Sequence, residues 1–579
     1  MNKIKLGVAC AFAMLSLTAC NKLFDDMPIN KISDETTWHN SQLLDEYANS
    51  WYREMSNGFS IYVPSSALLK GISRYYLPWF GDQLTVGKSD WFNAGYGDIL
   101  KGNDESITQY ASNLWSACYS QLQYINTFLE NKGKVADAAQ RKRLEGEAHF
   151  FRGFYCYKLW QRFGGVLIID HTYDPLQKRE TFPRASYEEM VNFITSEAEL
   201  AAQLLPEAHS SANQGRVTRG AALMLKAKAY LWASSPSFQN KEKAYMGFTD
   251  DQSQALLAKA KEAYKALFDL KNYALVPVEG TTQDEIRDAY RKVFLTKNSQ
   301  ESILEVQHSD DGDYANKFGH RLDRDAAAPS FTGTTAAYTP TQNHVDEYGM
   351  REGQVYDPTQ PYTNRDYRFY ANILYDGCTY RNHVMDIHYT DKIPGADLKA
   401  YGTSTSAAYS RTGYYMGKFV DESQTIDNND TYASKQNFII WRYAEALLDA
   451  AEVAYRLGDS EAAINFINPI RERAHMPLYT TLTWDQLVNE RRVEMAFEET
   501  TYWDHLRWGI AQKTLNGDTN PLKAMRIDIN NGVAKYTISN LNRFPGRVRI
   551  FTSKHYYYPI PWSEVKYHAI DQNPDWKEI

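Results

Sequence analysis

Apolar residues recur every three or four positions along two stretches of the chain, and each stretch divides into helices. Over 105–130, Ile107, Tyr110, Leu114, Cys118, Leu122, Ile125 and Leu129 share one helical face. Leu144, Ala148, Phe151, Tyr155 and Leu159 repeat the pattern over 137–162, and Gly164-Gly165 ends it. A third helix is predicted over 186–205, with Ser186 and Glu189 at capping-box spacing and Pro206 behind it. A fourth, over 217–234, opens at Thr218 and stops before Pro236; a fifth covers 253–269. The second stretch predicts helices over 437–457, 460–474 and 484–511. Phe438, Trp441, Ala444, Leu448, Ala451 and Tyr455 form the apolar side of the first of these. Pro469, which lacks an N–H, is expected to kink or restart the second.

Between the two stretches, over 275–435, helical periodicity is scarce. Ser302 to Val306 reads as a strand, and Gly, Thr, Asn and Tyr dominate the remainder, with 13 tyrosines in 331–420. Helix pairs with short links cannot each bury their own apolar stripe, so neighbours must cover it. The predicted fold is therefore mostly α: TPR-like stacked helical hairpins at about 105–270 and 437–511, with a large loop-rich insert containing short strands at about 275–435. One body over 20–579 is the expected organisation, with the insert carrying the ligand side.

The first 19 residues read as a lipoprotein signal peptide. Lys3 and Lys5 precede an apolar run from Leu6 to Leu17, too short to span a bilayer, and the run closes on Leu17-Thr18-Ala19-Cys20. Cys20 is the expected lipidation site and first residue of the mature chain, so the membrane is a partner through a lipid anchor. Asp25 and Asp26, soon after it, resemble a surface-export signal. The charge, −8 from 63 basic and 71 acidic residues without a basic run, argues against a nucleic-acid partner. Cys118, Cys156 and Cys378 are too few and too far apart for a disulfide scaffold, and Cys156 reads as a buried thiol.

Motifs for zinc proteases, serine hydrolases, dinucleotide sites and phosphate loops are absent from the sequence. Glu490, Glu494, Glu498, Glu499 and Asp504 make a dense carboxylate cluster, but Arg491, Arg492 and Arg507 are interleaved with it. That alternation predicts structural ion pairs rather than catalysis, and no catalytic residue is assigned. A surface glycoside hydrolase, needing only two carboxylates, stands as an alternative. The acidic turns 310–313 and 427–430 offer oxygen ligands outside EF-hand register, so the expectation is no cofactor, with structural calcium as the alternative. His308, His320, His383 and His388 fall in the insert at spacings that match no metal-ligand motif.

Aromatic content is high at 14%. A flat aromatic ring can cover the apolar face of a sugar while neighbouring polar groups bond its hydroxyls. On that argument the candidate ligand-binding residues are Trp79, Asp82, Trp91, Asn93 and Tyr96, with Tyr338, Tyr375 and Arg381 from the insert. Each aromatic among them could instead plug the helical body.

Several segments, in order, resemble the SusD/RagB family: Arg143 to Val166; Gly215 to Ala222 with Lys226-Ala227; Trp441 to Leu448; Ile470 to Ala474; Glu490-Arg491-Arg492 through Phe497-Glu498 to Tyr502-Trp503-Asp504; Tyr558-Pro559-Ile560-Pro561; and Gln572-Asn573-Pro574. The resemblance covers essentially the whole mature chain and agrees with Cys20. It implies a helical body with four TPR-like units and a cell-surface lipoprotein of the outer membrane, without enzymatic activity. It further implies capture of an oligosaccharide, or a peptide in some members, and delivery to a SusC-like TonB-dependent transporter. The sequence departs from the family pattern at His475, where glycine is usual, and at Glu498-Glu499-Thr500-Thr501, where Glu-Gly-x-Arg is usual.

Overall fold

Helix starts are marked by short polar side chains that satisfy otherwise orphaned N–H groups. Asn40 accepts from Leu43 at the head of α1 (Ser41–Asn49), and Asn103 accepts from Ser106 at the head of α2 (Asp104–Asn131). Asp137 caps α3 (Ala138–Phe163), Ser186 forms a full capping box with Glu189 on α4 (Tyr187–Leu204), and Thr218 caps α5 (Arg219–Ala233). The next helices are α6 (Ser253–Asp269) and α7 (Gln283–Leu295). The computed structural model describes residues 35–55, 58–59, 77–87, 96–173, 180–309, 319–332, 336–400, 407–424, 426, 433–543 and 548–578. The signal segment, Cys20 and both acidic turns lie outside the described residues.

Helices α2 to α6 pack each on the next, and α6 leans on α8 (Tyr443–Arg456), which pairs with α9 (Ser460–Arg473) and touches α10 (Trp484–Glu494). Small residues let these axes approach: Ala221, Ala227, Ala229, Ala444 and Ala451 are fully buried. Large rings fill the remaining space. Trp160 lies against Tyr187 with centroids 4.7 Å apart, and the Trp232 indole donates to the Tyr187 hydroxyl (3.0 Å). Full burial of one such side chain is worth about 1.5–3 kcal/mol. One core cluster runs from Trp38 to Trp576, joining both helical stretches to the insert. The fold is mostly α, as the periodicity predicts.

Four expectations change. Phe438–Arg442 is a strand, not the first turn of α8; it pairs antiparallel with Ser302–Val306, and Phe438, Ile439 and Trp441 are buried. The predicted helix over 484–511 breaks after α10 and resumes as α11 (Thr501–Arg507), because Phe497 and Glu499 take left-handed φ values of 66° and 64°. Helix α7 lies inside the insert, where helices were thought scarce. Its Thr282–Glu285 capping box and buried Ile286, Tyr290, Val293 and Phe294 were visible in the sequence. Pro469 does not restart α9: Ile467 and Ile470 on either side are fully buried against Leu448 and Leu487, and this packing holds the helix through a missing backbone bond.

The turn after α3 needs glycine. At Gly164 φ is 71° and a Cβ would stand 2.4 Å from the Tyr245 carbonyl oxygen; at Gly165 it would stand 1.8 Å from that of Ala185. A four-stranded sheet joins the insert to the later chain, with Lys523–Asn530 paired antiparallel to Val533–Asn540 and parallel to Tyr389–Thr390, which pairs with Ile393–Pro394.

Candidate functional site

Four of the expected ligand contacts are framework. The strand pair Leu84–Thr85 with Thr339–Pro340 ties the 77–87 segment under the insert. There Trp79 (1% exposed) stacks on Tyr338 (0% exposed) with centroids 5.4 Å apart, and its indole donates to the Ala337 carbonyl (3.1 Å). Neither ring offers a face to a ligand. Asp82 is buried and accepts from Arg492 (2.8 Å); burial pushes its carboxyl up, and Arg492 more than offsets this, holding it well below the usual range. Arg381 uses its guanidinium on the backbone carbonyls of Asp421, Glu422 and Gln424, so it clamps that loop. Tyr375 is partly buried and packs among Tyr362 (4.8 Å), Phe369 (5.1 Å) and Tyr370 (6.0 Å). Trp91 and Asn93 lie outside the described residues, as does the side chain of Tyr96.

Glu490, Glu494, Glu498 and Asp504 of the carboxylate cluster are committed to ion pairs. Glu490 bonds Arg368 (2.5 Å) and Arg471 (2.6 Å). Glu494 bonds Arg442 (2.8 Å), Arg473 and the Tyr290 hydroxyl (2.9 Å). Glu498 bonds Arg442 and Lys418, each at 2.6 Å, and Asp504 bonds Arg491 (2.7 Å) and Arg507 (2.9 Å). Burial raises Glu494, yet Arg473, Arg442 and Arg368 together hold it well below the carboxylate range. A general acid needs a proton to give near neutral pH; this group has none. Part of the network borders a partly open cavity of about 120 Å³ between Lys158, Lys228, Glu445, Arg491 and Trp503.

Accessible aromatic surface gathers elsewhere. Arg411 lies over the Tyr409 ring, 3.9 Å from its centroid, and also donates to the Tyr409 hydroxyl. Arg526 lies 3.8 Å over Tyr389 and is fixed by a two-point bond to Asp528 (2.6 and 2.8 Å). The Met525 N–H donates to the Thr412 carbonyl (2.8 Å), which sets Arg411 beside Arg526, and Tyr389 is near enough to act on the Arg411 charge. All four side chains are half-buried. The patch sits where Gly87 meets the insert: the Gly87 N–H donates to the Ala336 carbonyl (2.9 Å), and its own carbonyl accepts from Arg411 (3.4 Å). Trp91 follows Gly87 by four residues in the sequence. Tyr409 is one of the 13 tyrosines of 331–420, but the sequence carries no local signal for its partner Arg411, nor for the Tyr389–Arg526 pair, which joins segments 137 residues apart. A second concavity, about 680 Å³, runs along α2 past Trp115, Tyr119, Gln123, Tyr124, Tyr173 and Glu564; its Trp115 is buried and its Tyr119 hydroxyl is taken by the Leu167 backbone.

Residues 300–576 match the sequence profile of the SusD family, and residues 68–231 match one described as "Starch-binding associating with outer membrane". The chain belongs to the SusD/RagB family. It is 24% identical over 546 residues to a SusD-like protein of Bacteroides ovatus, covering 91% of this chain and 86% of that one. It is also 24% identical over 516 residues to the SusD-like protein P2 of Formosa agariphila, covering 86% and 90%. A SusD-like protein of Bacteroides fragilis superposes with a TM-score of 0.73 at 24% identity, covering 95% of this chain and all of that one. Surface glycan-binding protein A of Bacteroides thetaiotaomicron, solved with laminarihexaose, superposes at 0.62 and 18% identity, covering 92% and 99%. In this SusD-family chain no helix among the described residues is long and apolar enough to cross a membrane.

Proposed function

We propose that this SusD-family protein is a surface glycan-binding lipoprotein of the outer membrane. The lipid on Cys20 anchors one mature body, 20–579, on the extracellular side. The body captures an oligosaccharide without cleaving it and hands it to a SusC-like TonB-dependent transporter. The observation that carries the reading is the pair of neighbouring Tyr–Arg stacks. Each guanidinium covers one face of its ring and stiffens it, leaving the rest of the ring for a sugar C–H face. Family relatives described as carbohydrate-binding, and the laminarihexaose complex of one of them, support the ligand class. The ion-paired state of Glu490, Glu494 and Glu498 supports binding without turnover.

Trp91, Asn93 and Tyr96 remain proposed contacts, Trp91 lying four residues after Gly87 in the sequence. Calorimetry with an oligosaccharide panel that includes laminarihexaose tests the reading. Tyr409→Ala and Trp91→Ala are each expected to weaken binding about tenfold or more, in line with about 1–3 kcal/mol per aromatic stacking partner. A panel without a single binder, or appearance of new reducing ends during incubation, overturns it. Recovery of a TonB-dependent barrel with the tagged lipoprotein tests the transporter step.

A further inference from the structure

We propose that Asp386 and His388, oriented by Asp376, form a binding site for a divalent transition metal of the zinc type. The site lies in the insert, beside the strand Tyr389–Thr390. His388 precedes Tyr389 in the chain, so the two side chains point to opposite sides of that strand. One ligand atom from each of Asp376, Asp386 and His388 lies within 4.8 Å of the others.

The three groups are held before any ion arrives. Asp376 Oδ1 accepts from the Ile387 N–H and from His388 Nδ1, both at 2.8 Å. Asp386 Oδ2 accepts from the Ala396 N–H (2.9 Å), and the Asp386 N–H donates to Asp397 (2.7 Å). The Asp376 bond selects the tautomer with hydrogen on Nδ1 and leaves the Nε2 lone pair facing Asp386 Oδ1, 3.4 Å away. That oxygen is shielded from solvent and accepts no hydrogen bond. Two ligands about 2.0–2.1 Å from a tetrahedral zinc stand roughly 3.3–3.4 Å apart, so the observed gap is a ligand–ligand edge. A carboxylate behind the distal imidazole nitrogen is the usual outer partner of a metal-bound histidine. Gly395 completes the cradle: a Cβ there would sit 1.9 Å from Asp386 Oδ1. The neighbouring His383 is already engaged with Asp397 (2.8 Å), so it is not a third ligand, and water or a ligand oxygen fills the remaining positions. An imidazole with carboxylates favours zinc, nickel or copper over calcium.

The test is calorimetric titration of the full, chelator-stripped chain with Zn²⁺, and visible absorption on titration with Co²⁺. One saturable equivalent and a tetrahedral-intensity cobalt band are expected. His388→Ala and Asp386→Asn should weaken uptake at least 100-fold, and Asp376→Asn, acting through His388, by about 10–100-fold. His171→Ala, altering an exposed histidine elsewhere, should change nothing. Equal denaturation midpoints in chelator show that the variants are folded, and the near-isosteric Asp386→Asn keeps the test usable should His388→Ala not fold. Absence of saturable uptake overturns the proposal; so does uptake that survives both Asp386→Asn and His388→Ala, which would mean an imidazole paired with two carboxylates and no metal site.

Discussion

Replacing Trp79 by alanine and by phenylalanine separates a core ring from a ligand ring. The side chain is 1% exposed, stacks on Tyr338 and donates its indole N–H to the Ala337 carbonyl. Trp79→Ala removes the whole ring from a buried site, and large-to-small changes of this type cost about 3–5 kcal/mol. Trp79→Phe keeps most of the ring contact, worth about 0.5–1.5 kcal/mol beyond area for an aromatic pair. It strands the Ala337 carbonyl, however, at about 1–3 kcal/mol. The order of stability should therefore be wild type, then phenylalanine, then alanine, read from denaturant midpoints by circular dichroism. Saccharide affinity of the phenylalanine variant should stay within about threefold of wild type, because the ring presents no face to ligand. An alanine variant as stable as wild type that has lost its saccharide would refute the burial argument and restore Trp79 to the binding surface.

Arg442 is fully buried and bridges Glu301, Glu494 and Glu498, so Arg442→Ala leaves carboxylates without a partner and should cost about 3–5 kcal/mol in the same assay; a loss under about 1 kcal/mol would mean the network relaxes. Burial raises Asp504, but Arg491 and Arg507 bring it down to about 2, below its unfolded value. Its stabilisation is therefore complete above about pH 5 and lost as pH falls toward 2, and the denaturant midpoint should drop between pH 5 and pH 3; a flat profile there contradicts the sign. Glu499→Gly should raise stability by about 1 kcal/mol by relieving a left-handed φ of 64°, and a lower midpoint would show that the Glu499 side chain is worth more than its strain.

The helical body was legible because each of its signals is local. A capping box at Ser186–Glu189, a three-to-four repeat in α2 and a glycine pair after α3 all lie within a few residues of what they determine. The strand at Phe438–Arg442 was misread because its partner is Ser302–Val306, more than 130 residues away, and a short apolar run fits either period. The same limit governed the binding surface. Composition announced a surplus of rings, but whether Trp79 or Tyr409 is covered depends on the pairing of Thr85 with Thr339 and on Arg411, and no local pattern encodes either.

The residues that made the family recognisable are largely those that looked most like chemistry, and one physical cause explains both. Arg442, Glu494, Glu498, Arg491 and Asp504 are charged groups inside the protein, and a buried charge is tolerable only opposite a partner of fixed geometry. Such positions accept few residue types, so they leave a readable pattern. Partly exposed side chains such as Tyr409 and Arg526 face a weaker constraint, because water can replace a lost partner. His475 and Glu499 extend the argument to the backbone. Both stand where the family pattern has glycine, and both have left-handed φ, 54° and 64°. The turn geometry is kept although the residue that makes it cheap is gone. His475 recovers part of that cost by donating to the Val278 carbonyl (2.8 Å), which closes α9 onto the loop before α7. At His475 the motif departure therefore marks a site where backbone strain is partly offset by a side-chain contact, and not a change of fold.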